Sequence, residues 1–227
     1  MIDETLHALD ELIHARSILA HPFYLAWTRG ELTREQLATY ARVYYPHVAA
    51  FPGYLCNTLE CVSDETTKRA LEDNLEDELT KPAPHPQLWL DFAEGIGVSR
   101  GMMTAASWLG NTAETVSTFN RLTSSESISG LTALYSYESQ QPAVAREKMR
   151  GLRRLYGVTD EKALAYFNVH STTDLEHCAA ERAALARCLR SGASVDKLWG
   201  ATEESLRAYW SLLDGVMQEA AMECCRN

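Results

Sequence analysis

Residues 166–182 read YFNVHSTTDLEHCAAER, and the way this stretch folds decides what the rest of the chain can be. Taken as one helix, it sets His170, Asp174 and His177 at i, i+4 and i+7, on a single stripe. Two imidazoles and a carboxylate on one helical face can bind a metal ion. The same spacing also fits a solvated polar face with two ordinary surface histidines, so the stripe alone does not choose.

Outward from this stretch the chain reads as helix nearly throughout, with no period-two strand pattern. Thr159 or Asp160 opens the helix that carries the stripe, which runs to Arg190 before Ser191-Gly192. Val195 to Cys224 forms the last helix. Upstream, Leu6, Leu9 and Ile13 give a first helix over Asp3–Leu19, and a short piece with Tyr24 and Trp27 ends at Gly30. Thr33 with Gln36 forms a capping box that opens a helix to Val62, where Pro46 and Pro52 predict kinks or a break. Ser63 or Asp64 caps a helix to Leu79, and the loop 80–86 is extended and stiffened by prolines. Helices over 87–96, 99–108, 112–123, 125–140 and 143–156 complete the pattern. No repeat, low-complexity tract or long linker divides the chain. Residues 1–227 are therefore expected to form a single all-α bundle with kinked helices.

Hydrophobic residues make up 46% and charged residues 23%, which fits an ordinary globular protein. The formal net charge of −10, with no basic stripe to offset it, argues against a nucleic-acid footprint. The one basic cluster, Arg146 to Arg154, reads as a helix face beside an acidic partner. The start lacks the basic and apolar regions of a signal peptide. No uncharged apolar run approaches the roughly 18 residues that span a bilayer, so no membrane role is expected. Cysteines at 56, 61, 178, 188, 224 and 225 show no CxxC spacing and read as reduced thiols in a cytoplasmic protein, with the adjacent pair a terminal accident. Hydrolase-elbow, P-loop and dinucleotide-binding glycine motifs are missing.

Three residues outside the stripe bear on the metal question. Glu78 closes one helix, His85 sits in the stiff proline loop, and Glu138 lies in the apolar, aromatic segment LTALYSYESQ. A carboxylate on the inner side of such a helix must be paired or metal-bound. Glu78, His85, Glu138, His170, Asp174 and His177 have the composition of a two-metal shell in a helical bundle. Oxygen and nitrogen donors without thiolate suit iron or manganese better than structural zinc. Two divalent ions against three carboxylates leave about one positive charge by simple counting, which favours an anionic oxygen species. Cys178, next to His177, points about 100° away on a helix and is not expected to ligate. Tyrosines at 24, 40, 44, 45, 135 and 137 fit core packing, and a tyrosine near an oxygen-activating centre is also an oxidisable donor. Lys148 fits a surface lysine.

Four blocks carry a family resemblance: HPFYLAWTRGELTREQLATYARVYYPHVAAFPGYL, NLEDEL with PHPQLW, ALYSYESQQPAVAREKMRGL, and YFNVHSTTDLEH. They resemble the family of the chlamydial protein associating with death domains and its bacterial relatives, from the first helix to about Arg190. That family belongs with the haem-oxygenase-like dimetal oxidases, similar in fold to pyrroloquinoline-quinone synthase and TenA thiaminases. The resemblance implies a bundle of seven or more helices without haem, a homodimer, and a dinuclear iron and/or manganese site that uses O2 and an external reductant. It places the metal ligands on the six residues named above. It also implies synthesis of 4-aminobenzoate for folate by a route that bypasses chorismate. Tyr24 would be consumed as the ring source, Lys148 would donate the amino group, and Tyr40 and Tyr137 would stand near the centre. Two alternatives stay open: the same oxidase fold acting on a free small molecule, and a death-domain-type interaction protein.

Overall fold

The computed structural model describes residues 1–104 and 110–224. Trp108, at the end of the expected 99–108 helix, and Cys225 lie outside the described residues. Within them the chain is helical, with no strand. In order come α1 (Ile2–Ala15), a 3-10 turn (Ile18–Ala20), α2 (Pro22–Arg29), α3 (Arg34–Cys61), α4 (Glu65–Thr80), α5 (His85–Gly95) and α6 (Arg100–Thr104). Then follow α7 (Gly110–Thr123), α8 (Ser127–Glu138), α9 (Gln141–Arg154), α10 (Glu161–His170), α11 (Thr173–Arg190) and α12 (Val195–Cys224).

The 28-residue α3 starts at the expected capping box. The Gln36 backbone N–H donates to Thr33 Oγ1 at 3.2 Å, and the Thr33 N–H donates to Gln36 Oε1 at 2.8 Å. α3 passes through Pro46 and Pro52 without a break. Proline removes one helical donor, that to the carbonyl four residues before it, and crowds the preceding turn. Neighbouring helices use that turn. Trp89 Nε1 of α5 donates to Ala41 O at 2.9 Å, and Thr112 Oγ1 of α7 donates to Val43 O at 3.0 Å.

α3, α7, α8 and α12 pack against one another, and α8 is buried on every side from Ile128 to Glu138. That explains why its sequence is apolar without a polar face. α4 and α11 lie along this core, and α5, α9 and α10 close its other side. One continuous apolar cluster runs from Leu6 to Val216.

The expected single helix over 160–190 is a correction. It breaks between His170 and Thr173, so His170 ends α10 while Asp174 and His177 open α11. Local hydroxyls compete for the carbonyls that would continue the helix. Ser171 Oγ donates to Asn168 O at 2.7 Å, and Thr172 Oγ1 donates to Val169 O at 3.2 Å. Arg146 Nη1 of α9 holds the Ser171 carbonyl at 3.2 Å, placing a cation at the C-terminal end of α10. Two more residues of the basic cluster pair within the chain, Arg150 with Glu147 and Arg153 with Glu161. His85 is corrected too, since it is the first residue of α5 rather than part of an extended loop.

Candidate metal centre and its aromatic compartment

The six expected ligands converge in two groups of three. Ligand atoms of Glu78, His85 and His170 lie within 4.8 Å of one another, and so do those of Glu138, Asp174 and His177. All six side chains are buried. Most come from helix ends: Glu78 from the last turn of α4, His85 from the start of α5, Glu138 and His170 from the last residues of α8 and α10. The break at 171–172 therefore has a use. It lets His170 join the first group while Asp174 and His177 join the second. The groups touch across it, with His170 Nδ1 at 3.0 Å from both Asp174 carboxylate oxygens.

The histidines fit a metal. Each has one ring nitrogen on a partner and the other buried without a hydrogen bond. His85 Nε2 meets Lys81 O at 3.1 Å, and His177 Nε2 meets Asp77 Oδ2 at 3.2 Å. Such outer contacts fix ring orientation and leave the inner nitrogen as a donor. The unpaired atoms are His85 Nδ1, His170 Nε2 and His177 Nδ1. His85 Nδ1 stands 2.8 Å from Glu78 Oε1 without hydrogen-bond alignment, and His177 Nδ1 is 3.6 Å from Glu138 Oε1. Donor atoms thus converge without satisfying each other, as expected for groups that share a cation.

The electrostatics agree. Burial pushes His170 down to about 3, and the neighbouring His85 adds to this. Burial also opposes charge on His177, but Glu138, Asp174 and Asp77 outweigh it and raise the ring to about 9. Asp174 is held well above the usual carboxylate range by burial and by the charges of Glu138 and Glu78. The ion partners of Glu78, Glu138 and Asp174 are these histidines rather than Lys or Arg. Buried carboxylates crowded in this way call for cations.

Sequence reading missed one acid, Glu181. It lies on α11 one turn beyond His177, is 3% exposed, and neighbours Glu138. Its spacing, i+4 from His177 and i+7 from Asp174, was the available sign. Asn74 was missed as well: its Nδ2 donates to both Glu138 oxygens at 3.1 and 3.2 Å.

Beside the centre lies an aromatic compartment, and Lys148 is inside it. The surface reading of Lys148 is a correction, because the side chain is 1% exposed. Its Nζ stands 5.7 Å from the Tyr24 ring centroid, 5.2 Å from Tyr40, 5.1 Å from Tyr44, 5.5 Å from Trp89 and 5.3 Å from Phe167. Burial pushes this amine down to about 7. Aromatic faces soften the cost of an ammonium there but do not remove it. Tyr24 and Tyr40 are fully buried, and burial raises both phenols far above their ordinary range, so both stay protonated. Gly151 allows the close approach of α9 to α2, since a Cβ there would lie 2.3 Å from Trp27 Nε1. Rings link this compartment to the metal groups. Tyr166 lies 4.3 Å from His170 and 4.9 Å from Trp89, and Trp89 stacks on Tyr44 at 5.0 Å. Tyr137, next to Glu138 in α8, meets Tyr44 Oη at 3.0 Å, and Tyr44 in turn donates to Tyr209 Oη at 3.1 Å.

Cys178 belongs to neither group, and Cys56, Cys61, Cys178 and Cys188 carry free thiols. Among the described residues no helix is long and apolar enough to cross a membrane.

A family model described as iron-containing redox enzyme matches residues 38–210. A 4-aminobenzoate synthase of Chlamydia muridarum is 38% identical over 221 residues, covering 97% of this chain and 92% of that protein. Among solved structures, a TenA homologue from Pseudomonas syringae superposes with a TM-score of 0.80 at 16% identity, covering 96% of this chain and 93% of that one. A CADD-like protein of unknown function from Nostoc punctiforme gives 0.79 at 17% identity, covering 96% and 98%. These two likenesses establish the haem-oxygenase-like, TenA-type helical fold.

Proposed function

Because the chain belongs to the haem-oxygenase-like family of iron-containing redox enzymes, we propose that this oxidoreductase makes 4-aminobenzoate for folate from its own Tyr24, without chorismate. Lys148 carries the reading. A buried amine held near neutrality faces the buried Tyr24 ring at 5.7 Å, in a compartment that adjoins two groups of buried metal-type ligands. A catalytic protein has little reason to bury a lysine among rings unless its nitrogen is used. Likeness to the chlamydial 4-aminobenzoate synthase over nearly the whole chain supports the same product.

In this reading Glu78, His85 and His170 hold one ion, and Glu138, Asp174 and His177 hold the other. The donor set suits iron, manganese or one of each. Bound metal, with O2 and an external reductant, supplies the oxidising power that acid–base side chains lack. The chain's own residues do the rest. Converting a tyrosine side chain to aminobenzoate requires oxidative cleavage beyond Cβ and exchange of the phenol oxygen for nitrogen. Tyr24 supplies the ring, already in place, so no substrate-binding step precedes the reaction. The amine of Lys148, neutral in a substantial fraction near pH 7, supplies the nitrogen. Phe23, Trp27 and Trp89 pack around this pair and exclude water. Tyr40 and Tyr137 stand where one-electron equivalents would pass through the ring cluster. The reading treats residues 1–227 as one catalytic domain, acting as a cytoplasmic homodimer.

The test is reconstitution of purified protein with Fe(II), Mn(II) or both, then reductant and O2. It should give at most one 4-aminobenzoate per chain, with mass lost at the peptides bearing Tyr24 and Lys148. Repeated turnover with both peptides intact would overturn the self-consuming route.

A further inference from the structure

Glu181 is a buried carboxyl that none of the roles above uses. Among the described residues no N–H or hydroxyl group donates to either of its oxygens, yet the side chain is 3% exposed. It rises from α11 one turn past His177 and faces Glu138. An acid this deeply buried, whose polar neighbour is the second carboxyl Glu138 and to which no N–H or hydroxyl donates, is costly unless a cation completes the pair. We propose that Glu181 is a seventh protein donor, joining Glu138, Asp174 and His177, so that the two metal positions are chemically unequal.

This inference rests on the two-metal reading above and deepens it. The first position has two imidazoles and one carboxylate, from His85, His170 and Glu78. The second would have three carboxylates and one imidazole. Extra negative charge binds a divalent ion more tightly, and an oxygen-rich shell favours the harder ion. The second position therefore fills first and prefers manganese to iron more strongly than the first does. Glu181 is well placed for this, because it shares one face of α11 with Asp174 and His177.

Metal-free wild type and Glu181→Gln are titrated with Mn(II) by calorimetry, and bound ions are counted by elemental analysis. Glutamine keeps the volume and can still donate to Glu138, but it loses the charge. Wild type should bind two ions of unequal affinity. Glu181→Gln should weaken the tighter ion by about tenfold or more while leaving the weaker one unchanged. Unchanged affinities for both ions would overturn the proposal and leave Glu181 as a hydrogen-bond partner of Glu138. Equal weakening of both ions would also overturn it, since the effect would then be on the fold rather than on one position. If wild type itself binds fewer than two ions, the two-metal reading fails, and this inference fails with it.

Discussion

The Nζ of Lys148 lies 5.7 Å from the centre of the Tyr24 ring, and both side chains are closed off from solvent. Burial depresses the amine to about 7 from its ordinary 10.5, so the unfolded chain holds a proton that the folded chain releases between these values. The Lys148 contribution to the stability of the metal-free protein should therefore rise with pH across that window, against the opposite contribution of His177, which is lost as pH rises toward about 9.

Lys148→Met isolates this contribution. The variant should be more stable than wild type near neutral pH, and its advantage should shrink by roughly 2 kcal/mol between about pH 7 and about pH 9. Urea denaturation of both metal-free proteins at the two pH values measures it. An advantage that does not change with pH would mean the amine is not depressed. The variant should also form no 4-aminobenzoate.

Metal binding should release protons. His177 is raised to about 9, so at neutral pH the ring is protonated and must lose that proton to ligate. Affinity should consequently climb as pH rises toward about 9. Calorimetry in buffers of different ionisation enthalpy reads the proton count, and an affinity independent of pH would contradict the assignment.

The two groups of ligands should lose their ions separately. His85→Ala should leave one bound ion per chain instead of two, because Glu138, Asp174 and His177 remain intact. Elemental analysis after reconstitution decides. Two ions retained in this variant would remove His85 from the centre.

Gly151→Ala should loosen the lysine compartment. The added methyl meets Trp27 Nε1 at 2.3 Å, so α9 must shift from α2 or the indole must move. Overpacking of this kind costs about 1–3 kcal/mol. Thermal melts should show the loss, and product per chain should fall because Lys148 and Tyr24 ride on the two displaced helices.

Much of the fold was legible because helical periodicity and caps are local. The Thr33–Gln36 box and the ends at Gly30 and Arg190 needed no tertiary information. The six ligand candidates were legible because inward acids and histidines in an apolar bundle have few other uses. The break at 171–172 was not, since serine and threonine are only mildly unfavourable in a helix and the break also depends on Arg146 from another element. Lys148 looked like a surface residue because its neighbours Arg146, Glu147 and Arg150 are solvated, and only the packing of α9 shows which face turns inward. Glu181 was overlooked because its burial depends on its contact with Glu138 of α8, a residue distant in sequence.

The central claim is that the aromatic ring of the product comes from Tyr24. Protein made with ring-13C-tyrosine, all other residues unlabelled, can be reconstituted with Fe(II) and Mn(II) and given reductant and O2 in the presence of unlabelled free tyrosine. The account predicts 4-aminobenzoate with a fully labelled ring from wild type, none from Tyr24→Phe, and loss of the Tyr24 side chain in the spent protein. Unlabelled product, or product formed by Tyr24→Phe, would contradict it.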